Sequence, residues 1–115
     1  MLQGHRYVVE ATFIADHFDE LAMVIDFGIV KEILGSWIDK NWDHNTILSK
    51  KDLELGNQIA KTTGQKIYYL DANPTAEEMA KYLFEEICPK LFADYKISCS
   101  EIKLYETPNC YAKVI

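Results

Sequence analysis

The chain begins with a segment in which apolar and polar positions alternate. From His5 to Ile14, β-branched and aromatic residues predominate, which is typical of a β-strand. One face of this strand would consist of His5, Tyr7, Val9, Ala11 and Phe13. The pattern therefore predicts a strand with a histidine at one end of a mostly apolar face.

Helical spacing replaces this alternation in the next part of the chain. From Asp26 to about Lys40, apolar residues recur three and four positions apart, and Asp26 is a suitable N-cap. The stretch from Thr46 to Gly64 is polar and mixed, and it favours at most a short helix around Leu53 to Lys61. Lys66 to Leu70 is expected to form a short strand.

A capping signal marks the start of another amphipathic helix. Thr75 and Glu78 have the spacing of a capping box, and Pro89 is expected to bend or end the helix. The apolar residues at helical spacing are Met79, Ala80, Leu83, Phe84, Ile87, Cys88 and Leu91.

The C-terminal part predicts a β-hairpin. One strand lies near Ser100 to Thr107 and the other near Tyr111 to Ile115, with a turn at Pro108 and Asn109. The order of elements predicts one α+β domain over residues 1–115, with two helices on one face of an antiparallel sheet.

Charge and composition exclude several classes of function. The formal net charge of −6 opposes attraction to nucleic-acid phosphates, and no block of Lys and Arg compensates for it. The sequence has neither a signal-peptide pattern nor an apolar run of the roughly 18 residues needed to span a bilayer. We expect a cytoplasmic protein that binds neither nucleic acid nor membrane. Cys88, Cys99 and Cys110 lack CxxC spacing and are expected to be reduced, structural thiols.

Few residues are candidates for chemistry on pattern alone. Glu106 shares strand parity with Ile102 and Leu104, so it either meets solvent beyond the strand or needs a partner such as ligand N–H groups. Asp43 and His44 follow the first helix, where they form either a surface turn or a carboxylate that orients an imidazole.

Two further residues have ordinary alternatives. His5 shares a face with Gln3, but glutamine is a poor zinc ligand, so His5 is either a metal ligand or an ordinary hydrogen-bonded strand histidine. Glu77 is explained sufficiently as an acidic residue in the first turn of a helix.

Five short segments, in order, resemble the 6-pyruvoyl-tetrahydropterin synthase and 6-carboxytetrahydropterin synthase family. Residues 2–7 (Leu-Gln-Gly-His-Arg-Tyr) are similar to its Leu-His-Gly-His-x-Tyr strand, and residues 23–27 (Met-Val-Ile-Asp-Phe) to its Met-Val-x-Asp-Phe segment. Residues 42–45 (Trp-Asp-His-Asn), 73–77 (Asn-Pro-Thr-Ala-Glu) and 105–107 (Tyr-Glu-Thr) are similar to Leu-Asp-His-x, Asn-Pro-Thr-x-Glu and x-Glu-Thr.

The resemblance implies the tunnelling fold, in which subunits join their sheets into a barrel as a trimer or a stacked hexamer. It implies that Glu106 anchors the guanidine-like edge of a pterin, with Thr75, Ala76 and Glu77 lining the same pocket. Asp43 and His44 would form a proton relay, contributed across a subunit interface. The implied reaction is of the carbon–oxygen lyase type on dihydroneopterin triphosphate, as in queuosine and other deazapurine biosynthesis.

The chain also departs from the family pattern. Three histidines bind zinc in the family, and His5 is matched whereas Gln3 occupies a second ligand position. The remaining histidine and the catalytic cysteine belong upstream of Met1, so we expect this N-terminal segment to be missing or encoded by a longer reading frame. The sequence therefore leaves two hypotheses open: a zinc-dependent synthase, or a non-catalytic relative that binds a pterin or serves in assembly.

Overall fold

The computed structural model describes residues 7–15, 27–43, 45–95 and 97–115, which form five strands and four helices. The elements are β1 (Val8–Ala15), α1 (Phe27–Asn41), β2 (Thr46–Ser49), α2 (Leu53–Thr63), β3 (Ile67–Leu70), α3 (Ala76–Tyr82), α4 (Cys88–Leu91), β4 (Ile97–Thr107) and β5 (Cys110–Val114). A 3₁₀ turn, Lys50–Asp52, precedes α2, and a π-helical turn, Leu83–Ile87, joins α3 to α4.

The main sheet is antiparallel, with the strand order β1-β4-β5. Val9 lies opposite Leu104 and Ala11 opposite Ile102, and these residues lie in or against the hydrophobic core. The predicted first strand and C-terminal hairpin are confirmed. Alternation explains this arrangement, because the intervening residues of β1 are exposed on the other face. His5 lies outside the described residues.

One long helical segment, from Ala76 to Leu91, packs on β4 and β5. The Thr75 hydroxyl accepts a hydrogen bond from the Glu78 amide at 3.2 Å, which confirms Thr75 as the N-cap. The reciprocal bond of a capping box is replaced, because the Thr75 amide donates to the Asn73 carbonyl instead of the Glu78 carboxylate. The helix continues two residues beyond Pro89 after a π-helical turn. Its buried residues are Met79, Ala80, Leu83, Ile87 and Cys88.

An aromatic cluster joins α1 to this segment. Trp37 and Trp42 lie edge to face, with ring centroids 5.3 Å apart, and Tyr68 and Tyr82 complete the cluster. Trp42 is buried and the other three rings are half-buried, so the cluster contributes a large apolar area to the core. The predicted helix is confirmed, although its expected N-cap, Asp26, lies outside the described residues.

A second sheet was not predicted. β2 and β3 pair in parallel, and α2 connects them and packs on both. The stretch from Thr46 to Gly64 therefore contains a strand as well as the short helix. The described residues form four helices, whereas the sequence predicted two helices on one face of the sheet. The short strand predicted at Lys66–Leu70 is confirmed as β3, whereas β2 was missed, because four residues give little periodicity. In the described part of the chain, no helix is long and apolar enough to cross a membrane.

Candidate functional site

Glu106 lies at a bulge near the end of β4. Tyr105 is opposite Tyr111 and Thr107 is opposite Cys110, so Glu106 is an extra residue without an opposite residue on β5. Bulges of this kind interrupt a ladder and redirect a side chain. Ile102 and Leu104 are fully buried, whereas Glu106 is exposed. The carboxylate is therefore accessible to a ligand at the rim of the apolar face.

Tyr7 lies next to Glu106 across the sheet. Val8 opposite Tyr105 is the last pair of the β1–β4 ladder, and Tyr7 and Glu106 are the next residues along the two segments. Burial raises the pKa of the Tyr7 phenol, and the negative charge of Glu106 raises that pKa further. Sequence analysis placed Tyr7 on the apolar face but missed this relationship, because only the pairing of distant strands shows it.

The start of α3 contains the next three candidates. Thr75 uses its hydroxyl as the helix cap, Ala76 is 3% exposed, and Glu77 is exposed in the first turn. Because the Ala76 methyl belongs to the core, a ligand at this position would contact its backbone. The first amides of a helix have no acceptor within the helix and favour negative charge or acceptor atoms.

Asp43 follows the end of α1 in a hydrogen-bonded turn. Its amide donates to the Ile38 carbonyl at 2.9 Å, and the Asn45 side chain donates to the Asn41 carbonyl at 3.0 Å. The exposed Asp43 side chain thus extends from a backbone that is fixed at both sides. His44 lies outside the described residues, so its predicted pairing with Asp43 stays a prediction.

A metal centre is not formed by the residues that the structure describes. Among them, no group of three His, Cys, Asp or Glu side chains could hold a metal ion. His5 and Gln3 both lie outside the described ranges. The assignment of His5 as a zinc ligand therefore stays a prediction.

The three cysteines are free thiols with different surroundings. Cys88 is buried, Cys99 is half-buried and Cys110 is exposed. A hydrogen bond with Cys99 and burial both raise the pKa of Cys88. A thiol whose pKa is raised forms little of the thiolate that acts as a nucleophile, so Cys88 is unsuited to covalent catalysis.

A shallow cleft of about 160 Å³ lies beside α3, away from Glu106. Its lining residues are Leu70, Asp71, Ala72, Glu78, Lys81, Tyr82, Glu85 and Glu86. Four carboxylates against one ammonium group disfavour a phosphorylated ligand. The accessible carboxylate of Glu106 is the better candidate for ligand recognition.

Comparison with known proteins agrees with the motif resemblance. The family model for 6-pyruvoyl tetrahydropterin synthase matches residues 2–115. The chain is 53% identical over 113 residues to a 6-carboxy-5,6,7,8-tetrahydropterin synthase of Rickettsia felis, covering 98% of this chain and 82% of the relative. Proteins of the same name in Rickettsia bellii and Rickettsia conorii are each 52% identical, with the same coverage. The chain belongs to the 6-pyruvoyl tetrahydropterin synthase family.

Proposed function

We propose that this chain is a 6-carboxy-5,6,7,8-tetrahydropterin synthase that acts on dihydroneopterin triphosphate. Its similarity to proteins of that name supports the proposed reaction, and the accessible carboxylate of Glu106 supports the proposed substrate class. We propose that the reaction is of the carbon–oxygen lyase type and that it belongs to queuosine biosynthesis.

Glu106 is the proposed anchor of the pterin ring. A carboxylate can accept two parallel hydrogen bonds from adjacent N–H groups, and a pterin has such groups on its guanidine-like edge. Because Glu106 is exposed and has no opposite residue on β5, its oxygens are available for this contact. This exposed carboxylate at the bulge is the observation that carries the proposal.

The start of α3 is the proposed second wall of the pocket. α3 packs on β4, the strand that contains Glu106. We assign ring contacts to Thr75, to the backbone of Ala76 and to Glu77. First-turn amides of the helix can donate to a carbonyl oxygen of the ring without disturbing the helix.

Asp43 and His44 are the proposed proton relay. The fixed turn after α1 holds Asp43, and a carboxylate of this kind can orient the neighbouring imidazole and stabilise its protonated form. His44 would then accept and return the proton in the reaction. By family resemblance, this pair acts in the pocket of an adjacent subunit.

The donors that this chain offers fit zinc poorly. His5 matches one family ligand, whereas Gln3 brings an amide to a position where histidine is the expected ligand. A catalytic zinc site needs three protein ligands and an open position, and the Leu2–Tyr7 segment supplies one histidine where the family has two. We therefore derive no catalytic step through zinc.

Assembly through the edges of the sheet is also proposed. In the described sheet, β1 and β5 are the outer strands, and the exposed residues of β1 include Val8 and Ile14. An apolar edge strand is a template for pairing with another chain. We expect a trimer or a hexamer in light scattering, and a monomer at high concentration would contradict this assembly.

Product formation tests the proposed function. The purified chain is incubated with dihydroneopterin triphosphate, and 6-carboxytetrahydropterin is measured by liquid chromatography and mass spectrometry, with zinc per chain determined on the same sample. We expect product, and we expect Asp43→Asn to form it more slowly. Asp39→Asn, an exposed position in α1, is the matched control. Pterin binding by the folded chain without product would contradict the synthase proposal and favour the non-catalytic alternative.

A further inference from the structure

Glu106 has a neighbouring residue on the β1 side of the sheet but no opposite residue on β5. On the β5 side, the bulge leaves Glu106 without an opposite residue. On the β1 side, the regular pairs Val9 with Leu104 and Val8 with Tyr105 continue toward Tyr7 and Glu106. Tyr7 is therefore the cross-strand neighbour of this carboxylate.

The same register determines the face on which the two side chains meet. Directly opposite residues of an antiparallel pair point to the same face. Val9 and Leu104 both point toward the core, and Tyr7 and Glu106 lie two residues further along their strands. Extended by one step, this register brings the phenol and the carboxylate together at the rim of the apolar face.

The chemistry of the two groups is complementary. A tyrosine has an ordinary pKa of about 10, so at neutral pH it is an O–H donor, whereas a glutamate is an acceptor only. An exposed Glu side chain loses conformational entropy when it is fixed. A neighbouring phenol on a rigid ring reduces that loss before the ligand arrives. The carboxylate retains enough lone pairs to accept two further N–H bonds.

We propose that Tyr7 is a positioning residue for Glu106, holding its carboxylate in the orientation that accepts the two N–H groups of a pterin. This proposal rests on the proposed function, because it assumes that Glu106 anchors the ring. It extends that function by assigning a role to a residue that makes no contact with the reacting atoms.

A double-mutant cycle on ligand binding tests the proposal. Neopterin affinity is measured by fluorescence titration for the wild-type chain, Tyr7→Phe, Glu106→Gln and the double variant. We expect Glu106→Gln to weaken binding roughly 10- to 100-fold and Tyr7→Phe to weaken it about fivefold. In the Glu106→Gln background, Tyr7→Phe should have no further effect, because the phenol acts only through the carboxylate.

The chain provides a matched control on the other face of the same sheet. The Tyr105 hydroxyl donates to a Glu10 carboxylate oxygen at 3.4 Å, so Tyr105→Phe removes a similar cross-strand contact. Neopterin affinity should be unchanged in Tyr105→Phe.

Lumazine, which has an oxo group in place of the 2-amino group, gives a second readout. The wild-type chain and Tyr7→Phe should bind lumazine with equal affinity.

The outcomes separate this proposal from the function on which it rests. Wild-type affinity in Glu106→Gln would overturn both. A loss in Glu106→Gln with wild-type affinity in Tyr7→Phe would overturn only the role of Tyr7. The role of Tyr7 would also be overturned if Tyr7→Phe lowered neopterin affinity equally in the wild-type and Glu106→Gln backgrounds. The same holds if Tyr7→Phe lowered the affinities for neopterin and lumazine equally, because the phenol would then act on the ligand directly or through the fold.

Discussion

The hydroxyl groups of Tyr68 and Tyr82 lie 2.6 Å apart and form a hydrogen bond that joins β3 to α3. This bond connects the smaller sheet to the helix that covers the main sheet. Around it, Trp37 and Trp42 pack against both tyrosine rings. The aromatic cluster thus links the turn that contains Asp43 to the helix that Thr75 caps.

Alkaline pH is expected to destabilise the protein through Tyr68. Burial raises the pKa of its phenol, and the hydrogen bond with Tyr82 raises that pKa further. The stabilisation is complete below the unfolded pKa of about 10 and decreases as the pH rises above it. Tyr68→Phe should lower the free energy of unfolding at pH 7 by about 1 kcal/mol and reduce its alkaline decline.

Urea unfolding followed by tryptophan fluorescence measures both effects. Tyr95→Phe, which changes an exposed tyrosine, is the control and should leave both quantities near their wild-type values. An alkaline decline in Tyr68→Phe as steep as in the wild-type chain would show that Tyr68 is not its source.

Substitution by alanine should change the free energy of unfolding differently at two helical glycines, Gly35 and Gly56. A Cβ atom at Gly56 would overlap the Tyr69 hydroxyl and lie 2.9 Å from its ring carbon Cζ, whereas at Gly35 nothing lies within 4 Å. Alanine favours a helix interior by up to about 1 kcal/mol over glycine, and overpacking costs about 1–3 kcal/mol. Gly35→Ala should therefore raise the free energy of unfolding, and Gly56→Ala should not. A rise in both variants would contradict close packing of α2 on β3.

The Thr75 cap gives a prediction on stability that is separate from ligand binding. Thr75→Ala should lower the free energy of unfolding by about 1 kcal/mol, because the Glu78 amide loses its acceptor. Thr75→Ser retains the hydroxyl and should remain close to wild type. Equal losses in both variants, measured by thermal unfolding, would indicate that the threonine methyl rather than the cap is responsible.

Alkylation rates should follow thiol exposure and acidity. Cys110 is exposed, whereas Cys88 is buried and has a raised pKa because of its hydrogen bond with Cys99 and its burial. Iodoacetamide followed by peptide mass spectrometry should therefore modify Cys110 before Cys88. In urea, the three rates should converge. Early modification of Cys88 in the native protein would contradict its position in the core.

The sequence predicted those parts of the fold that depend on local patterns. Alternation identified β1 and the hairpin, and helical spacing with Thr75 as the cap identified the α3 segment. The parallel pairing of β2 with β3 was missed, because each strand has four residues and its partner lies far away in the chain. Short strands are specified by tertiary contacts rather than by their own periodicity.

The candidate site was only partly predictable. Strand parity placed Glu106 at the end of an apolar face, but the bulge that makes it an extra residue depends on the register between β4 and β5. The neighbour Tyr7 depends likewise on the register between β1 and β4. Registers follow from how whole strands pack, so one sequence without a structure does not specify them.

The most direct test of the central claim is the catalytic efficiency, kcat/KM, for conversion of dihydroneopterin triphosphate by Glu106→Gln. Glu101→Gln is the matched control, because Glu101 lies on the same strand and pairs with Lys113 at 3.7 Å. We expect kcat/KM to decrease about 100-fold in Glu106→Gln, because two charge-assisted hydrogen bonds are lost, and to change little in Glu101→Gln. Equal kcat/KM in Glu106→Gln and the wild-type chain would contradict the assignment of Glu106 as the pterin anchor.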